Sequence, residues 1–252
     1  MIILFPMAGL SSRFLNSGIS IPKYMLYLGN KSIFELSVCG FTNFFNKALF
    51  VFIIRDIFET KKFIELECKK IGLSNYIITI LPQKTKGQAE TVYKGLNQIN
   101  KNMHEQSLTI FNIDSFHTNF SYPINIYEID GYLEVFKGFG ENWSYAKTEN
   151  ETSTIVIEVA EKKQISDNCS TGLYYFRSCN LFLRGYETMY INPNNIDPVK
   201  EYYVAPIYNN LIEKNKLITI NVINKSEIKF CGVPSEFYYL LSQFSYNKDY
   251  LE

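Results

Sequence analysis

The chain has 252 residues, long enough for one large domain with a sizeable buried core. Lysine plus arginine and aspartate plus glutamate both number 25, a formal net charge of zero. That balance supplies no field to draw the chain toward nucleic acid or an anionic membrane, and no apolar run reaches the length of a membrane span. Five scattered cysteines (Cys39, Cys68, Cys169, Cys179 and Cys231) lack metal-site spacing and fit reduced, buried thiols in the cytoplasm. With only His104 and His117 present, neither a zinc site nor a Ser-His-Asp triad finds its companions.

The first apolar run, Ile2 to Phe5, reads as a buried strand. It has no basic leader and meets a polar loop at once, so it is not expected to be a signal peptide. The loop, Pro6-Met7-Ala8-Gly9-Leu10-Ser11-Ser12-Arg13, has small side chains that let an anion approach backbone N–H groups. Arg13 and the later Lys23 add positive charge, which suits a polyphosphate. An ordinary turn is the competing reading. The three-glycine dinucleotide fingerprint and the Walker lysine pattern are both absent.

Farther along, hydrophobic spacing predicts a helix over 34–41, a strand over 48–54 and a helix over 59–71. A strand over 76–81 ends at Pro82; a helix over 88–99 and a strand over 108–113 follow, the last running into Asp114. This β-α-β order predicts a mostly parallel sheet flanked by helices. Ligands in such sheets sit at the carboxyl ends of the strands, where the first loop and Asp114 both fall. The second half predicts short strands over 131–136, 143–147, 153–159, 172–176 and 217–223, with helices over 178–190, 200–214 and 235–244. No repeat or low-complexity linker divides the chain.

Ala8-Gly9-Leu10-Ser11-Ser12-Arg13 followed by Pro22-Lys23 resembles the signature of the nucleotidyltransferases that make nucleotide-diphospho-sugars and related activated headgroups. Ser11 stands where that signature has a second glycine. Four further blocks follow in the family's order over residues 6–176: Pro82 to Thr91, the strand-end Asp114, Glu158 to Lys163, and Ser170 to Phe176. The resemblance implies an α/β fold, a single GT-A-like (Rossmann-like) domain spanning 1–252. Residues 1–125 would form its nucleotide-binding half and 126–252 its acceptor-binding half.

The resemblance also assigns roles. Ala8, Gly9, Leu10, Ser11 and Ser12 would hold the nucleotide, with Arg13 on its β- and γ-phosphates and Lys23 on the α-phosphate. Gln83, Gly87 and Gln88 would bind the base, since a primary amide presents both a donor and an acceptor. Asp114 would hold Mg²⁺, which prefers few protein carboxylates beside substrate oxygens and water. Glu161, Lys162, Thr171 and Gly172 would bind the acceptor, Lys162 neutralising its phosphate. The plainer readings are a strand-end cap for Asp114, a polar loop for 82–91 and a solvated hairpin for Glu161-Lys162-Lys163.

One family element is missing. A late aspartate that supplies a second metal ligand has Gly232 in its place, within Phe230-Cys231-Gly232-Val233-Pro234. Glu158, Asp197 and Glu201 are candidates to replace it. The variant opening, Gly232 and the composition resemble a branch found in bacterial capsule gene clusters, which implies CTP as the nucleotide and a phosphorylated small molecule, phosphorylated glutamine foremost, as acceptor. The alternatives are a sugar-1-phosphate nucleotidyltransferase using CTP, UTP or dTTP, and a nucleotide-binding domain without turnover. A glycosyltransferase of the same fold would want Asp-X-Asp, and Asn112-Ile113-Asp114 has only one of the two carboxylates.

Overall fold

The computed structural model describes residues 1–191 and 201–246. The first half comprises β1 (Ile2–Met7), α1 (Ser12–Asn16), β2 (Tyr27–Leu28), β3 (Lys31–Ser32), α2 (Ile33–Cys39), β4 (Leu49–Ile54), α3 (Thr60–Ile71), β5 (Tyr76–Ile80), α4 (Gln88–Leu96), β6 (Leu108–Phe111) and β7 (Ser115–His117). The second half adds β8 (Gly131–Lys137), β9 (Ser144–Thr148), β10 (Val156–Glu161), β11 (Asn168–Phe176), α5 (Cys179–Tyr186), α6 (Ile207–Glu213), β12 (Ile218–Val222), β13 (Ile228–Phe230) and α7 (Pro234–Tyr246).

One nine-stranded sheet runs through both halves in the order β10-β9-β11-β6-β1-β4-β5, with β8 against β11 and β12 against β8. The run β6-β1-β4-β5 is parallel, as is β12 on β8, while β11 enters antiparallel between β6 and the later strands. The expected mostly parallel sheet flanked by helices is therefore what forms.

Period-two alternation builds the layers. Ile2, Leu4, Val51, Ile53, Leu108 and Ile110 face one side and pack with Val92 and Leu96 of α4, Phe182 of α5 and Leu211 of α6. Ile3, Phe5, Phe50, Phe52 and Phe111 face the other, against Phe34 and Val38 of α2 and Ile64 and Cys68 of α3. Each of these fully buried large side chains stabilises the fold by about 1.5–3 kcal/mol relative to exposure. Both sides of the central strands are covered, which is why they read as continuous apolar runs.

Several boundaries differ from the sequence expectation. The helix over 88–99 stops at Leu96, and the one over 178–190 ends as α-helix at Tyr186 before a π-helical turn, Glu187–Ile191. The helix expected over 200–214 begins at Ile207, because Pro206 suits a helix start but cannot donate inside one. Asp197 lies outside the described residues. The strand over 172–176 is longer, Asn168–Phe176, and carries a bulge between Ser170 and Tyr174 where it pairs with β8. The short β7–β13 pair escapes a periodicity search yet matters most for the site. Its register, Phe230↔Ser115, sets Gly232 beside Asp114, and the Cys231 N–H donates to the Asp114 carbonyl at 2.8 Å.

Candidate active site

The β1–β6 register, Leu4↔Ile110, brings the loop after β1 next to the segment Asn112–Asp114. Pairing of Leu173 with Phe111 then lays Thr171 and Gly172 alongside Asn112. A cavity of about 900 Å³ opens at these strand ends. Ala8, Gly9, Leu10, Ser11, Ser12, Arg13, Lys23, Gly87, Gln88, Asp114, Glu161, Thr171 and Gly172 all line it.

Backbone conformation and one side-chain hydrogen bond fix the first loop. Ser11 has φ 51° and ψ 37°, the left-handed conformation that glycine would adopt without strain. The serine brings a compensating contact: its Oγ accepts from the Lys23 backbone N–H at 3.2 Å. The loop and the Pro22-Lys23 segment are thereby fastened together. The Lys23 ammonium in turn donates to Asp114 Oδ2. Arg13 is exposed, and its guanidinium has no hydrogen-bond or ion-pair partner among the described residues.

Gly232 stands at this pair. A Cβ there would lie 3.0 Å from Asp114 Oδ2 and 3.7 Å from Glu236 Oε2. Glu236, in the first turn of α7, accepts from the Gly232 N–H at 2.8 Å and the Val233 N–H at 3.2 Å, both through Oε2. Its Oε1 has no partner among the described residues, and the residue lines the cavity. Burial and the Asp114 and Glu236 carboxylates beside it push the neighbouring Cys231 thiol up to about 12. Two carboxylates, Asp114 and Glu236, thus flank Gly232. Of the replacements suggested by sequence, neither Glu158 nor Glu201 bonds to this group. Glu158 is exposed on β10 away from the cavity, Asp197 is not described, and Glu201 accepts from the Tyr203 hydroxyl.

The base-binding block needs one correction. Gln83 is exposed and faces away from the cavity, in a shallow depression with Tyr93 and Gln98. Gln88, the first residue of α4, reaches the cavity instead, and its Nε2 donates to Asn112 Oδ1. The turn after Pro82 carries the chain outward before α4 returns it. Gly87 lets that return dock closely: a Cβ there would lie 2.5 Å from the Tyr202 carbonyl oxygen. Tyr202 accepts from the Ala89 N–H at 2.9 Å and donates its N–H to Lys86 at 3.0 Å. Gly172, at φ 88°, similarly yields its side-chain space to the Asn112 amide. Asn112 itself was legible only as the missing half of an Asp-X-Asp motif.

Lys162 is also relocated. It turns the chain after β10 at φ 56°, lies outside the cavity lining, and directs its ammonium to the Tyr203 hydroxyl at 2.5 Å and to Glu201 at 3.9 Å. That ammonium sits 4.6 Å above the Tyr203 ring. Glu161 points the other way, into the cavity, and accepts from the Ser144 hydroxyl. Burial holds its carboxyl above the ordinary carboxylate range, partly offset by Ser144 and Lys162. Trp143, Tyr174, Tyr203 and Phe230 complete this wall; Tyr174 belongs to the block Ser170 to Phe176, whereas Trp143 and Tyr203 had no signal beyond aromatic abundance.

No protein-family model matches the chain, and no curated protein matches it. Solved structures do. The nucleoside-diphosphate-sugar pyrophosphorylase of Vibrio cholerae RC9 is 43% identical, superimposes with a TM-score of 0.91, and is matched over 96% of this chain and 100% of that one. The inositol-1-phosphate CTP transferase of T. maritima shares the fold at 12% identity, TM-score 0.73, over 97% and 95% of the two chains. A UDP-glucose pyrophosphorylase of Acinetobacter baumanii does so at 13% identity, TM-score 0.69, over 99% and 94%. Among the described residues no helix is long and apolar enough to cross a membrane. The strand-end cavity, the loop with its paired lysine and the 43% identity over nearly the whole chain lead to one conclusion: the chain belongs to the nucleoside-diphosphate-sugar pyrophosphorylase family of nucleotidyltransferases.

Proposed function

We propose that the protein is a Mg²⁺-dependent cytidylyltransferase of the cytoplasm that activates a phosphorylated small molecule for capsular polysaccharide modification. A phosphate oxygen of the acceptor attacks the α-phosphorus of CTP. The bond from that phosphorus to the bridging oxygen breaks, and pyrophosphate leaves with the electron pair. Phosphorylated glutamine is the acceptor that the sequence resemblance favours. The observation that carries the reading is the convergence of Arg13, Lys23, Asp114 and Glu236 on one cavity at the strand ends.

Such chemistry asks for positioning and charge neutralisation rather than a strong acid or base. In this reading the loop Ala8–Ser12 and Arg13 hold the leaving phosphates. Lys23 meets the charge that develops at the α-phosphate. Gln88 and Asn112, already joined by a hydrogen bond, present amide groups to a pyrimidine edge. Lys162 binds no phosphate here, because its ammonium is committed to Tyr203 and Glu201.

The residues fit a hard divalent cation. Asp114 and Glu236 are both carboxylates, both approach the space that Gly232 leaves open, and Glu236 keeps one oxygen unpartnered among the described residues. Two carboxylates with water and phosphate oxygens are the donor set Mg²⁺ favours. When bound, the ion would neutralise phosphate charge. The reading is tested by ³¹P NMR of protein, Mg²⁺, CTP and phosphorylated glutamine: a new pair of coupled diphosphate signals and free pyrophosphate are expected. Unchanged CTP with this and with sugar 1-phosphates refutes it.

A further inference from the structure

Thr171 is 1% exposed, yet it forms part of the cavity wall. Its hydroxyl donates to Glu134 Oε1 at 2.8 Å. Glu134 lies on β8 beneath that wall, also 1% exposed and outside the cavity lining. The same Oε1 receives the Nε2 of His117 at 2.7 Å. His117 is buried between the rings of Phe111 and Phe120, and its Nδ1 has no partner. A buried carboxylate inside a sheet is costly to keep, and neither Glu134 nor His117 touches the space where nucleotide and acceptor meet.

The hydrogen-bond inventory shows what this pair does. A carboxylate offers only lone pairs, so Thr171 must give its single proton to Glu134. One of the two Thr171 lone pairs takes the Leu173 N–H at 3.3 Å. What remains for the cavity is an acceptor. The same polarity recurs on this wall: Ser144 gives its proton to Glu161, and Tyr203 gives its proton to Glu201. Thr171, Ser144 and Tyr203, all residues of the cavity lining, each spend the hydroxyl proton on a carboxylate. The cations Arg13 and Lys23, the latter paired with Asp114, line the cavity from the first loop and the Pro22-Lys23 segment.

We infer that Glu134 is a positioning residue that fixes Thr171 as a hydrogen-bond acceptor, so that the phosphorylated acceptor molecule turns a hydroxyl or N–H donor toward this wall and its phosphate toward Lys23. An anionic oxygen placed against Thr171 would meet lone pairs and find no proton. The inference rests on the transferase reading and adds the orientation of the acceptor and the chemistry of the group read at its far end. His117 holds Glu134 from below, and the phenyl rings around it keep that assembly dry.

The test uses the full chain with CTP, Mg²⁺ and whichever of phosphorylated glutamine, phosphoethanolamine or glucose 1-phosphate releases pyrophosphate fastest. Thr171→Val is expected to raise the acceptor KM about tenfold, with kcat and the CTP KM changed by less than about twofold. Glu134→Met should match it, and the double variant should be no worse than either single one. Glu134→Gln, which keeps an oxygen for Thr171 and His117, should restore the wild-type KM. Losses that multiply in the double variant, or a shifted CTP KM, overturn the inference. Should Glu134→Met fail to fold, Thr171→Ser against Thr171→Val decides: equal acceptor KM values overturn it. A panel that is silent with the wild-type protein refutes the transferase reading and the inference with it, whereas turnover with unchanged KM in Thr171→Val refutes the inference alone.

Discussion

The Lys23 ammonium donates to Asp114 Oδ2, joining the segment after Pro22 to the turn that follows β6. The two side chains are 24% and 16% exposed, so the pair is neither solvated nor sealed. A cation bound at Asp114 and the ammonium would compete for the same oxygen. In the proposed reaction a phosphate would give Lys23 a second anionic partner, which suits a group whose interaction grows as charge develops.

Lys23→Ala should therefore lower kcat by on the order of 10²–10³-fold while changing nucleotide affinity by less than about threefold. Steady-state rates beside nucleotide titrations check this. Near-normal turnover would remove Lys23 from the chemistry.

Asp114→Asn should abolish Mg²⁺-dependent turnover with the fold intact. Glu236→Gln should weaken Mn²⁺ binding, read directly by electron paramagnetic resonance, by about tenfold or more. The glutamine oxygen can still accept from the Gly232 and Val233 N–H groups, so the start of α7 is retained. Unaltered Mn²⁺ binding would leave Asp114 without its companion.

Gln88→Ala should raise the CTP KM about tenfold and reduce discrimination among nucleotides, because it removes an amide and frees Asn112. Gln83→Ala should leave both within about twofold, since Gln83 faces away from the cavity. The reverse pattern would show that the base lies elsewhere.

Glu161 gives a pH prediction. Burial raises its folded-state pKa, so the native protein binds this proton more tightly than the unfolded chain does. The stability it contributes is complete below the ordinary value of 4.5 and is lost as pH rises through the raised folded value. Glu161→Gln should thus melt higher than wild type at pH 7, with the difference vanishing below pH 4.5. A pH-independent difference would assign the effect to packing.

Much of this arrangement was legible in the sequence, for identifiable reasons. Continuous apolar runs such as Leu49–Ile54 can satisfy only a strand buried on both faces, and α4 shows itself by Ala89, Val92 and Leu96. Arg13, Lys23 and Asp114 belong to short motifs whose backbone context is local, and each lines the cavity. Gln83 and Lys162 went astray because a one-turn difference in loop path decides whether a side chain faces in or out. Glu236 was invisible for a different reason: its place beside Asp114 depends on the three-residue β7–β13 pairing, too short for any periodicity. Glu134 was hidden inside β8 between the buried Leu133 and Val135. Of the two histidines, His117 bonds Glu134 and His104 bonds the Leu96 carbonyl at the end of α4.

The most direct test of the central claim is pyrophosphate release measured with CTP, UTP, dTTP, ATP and GTP, each crossed with phosphorylated glutamine, phosphocholine and sugar 1-phosphates. The account predicts release that requires both Mg²⁺ and a phosphorylated acceptor, with a pyrimidine nucleotide and CTP foremost. Nucleotide binding without release from any pair, or a clear preference for ATP or GTP, would contradict it.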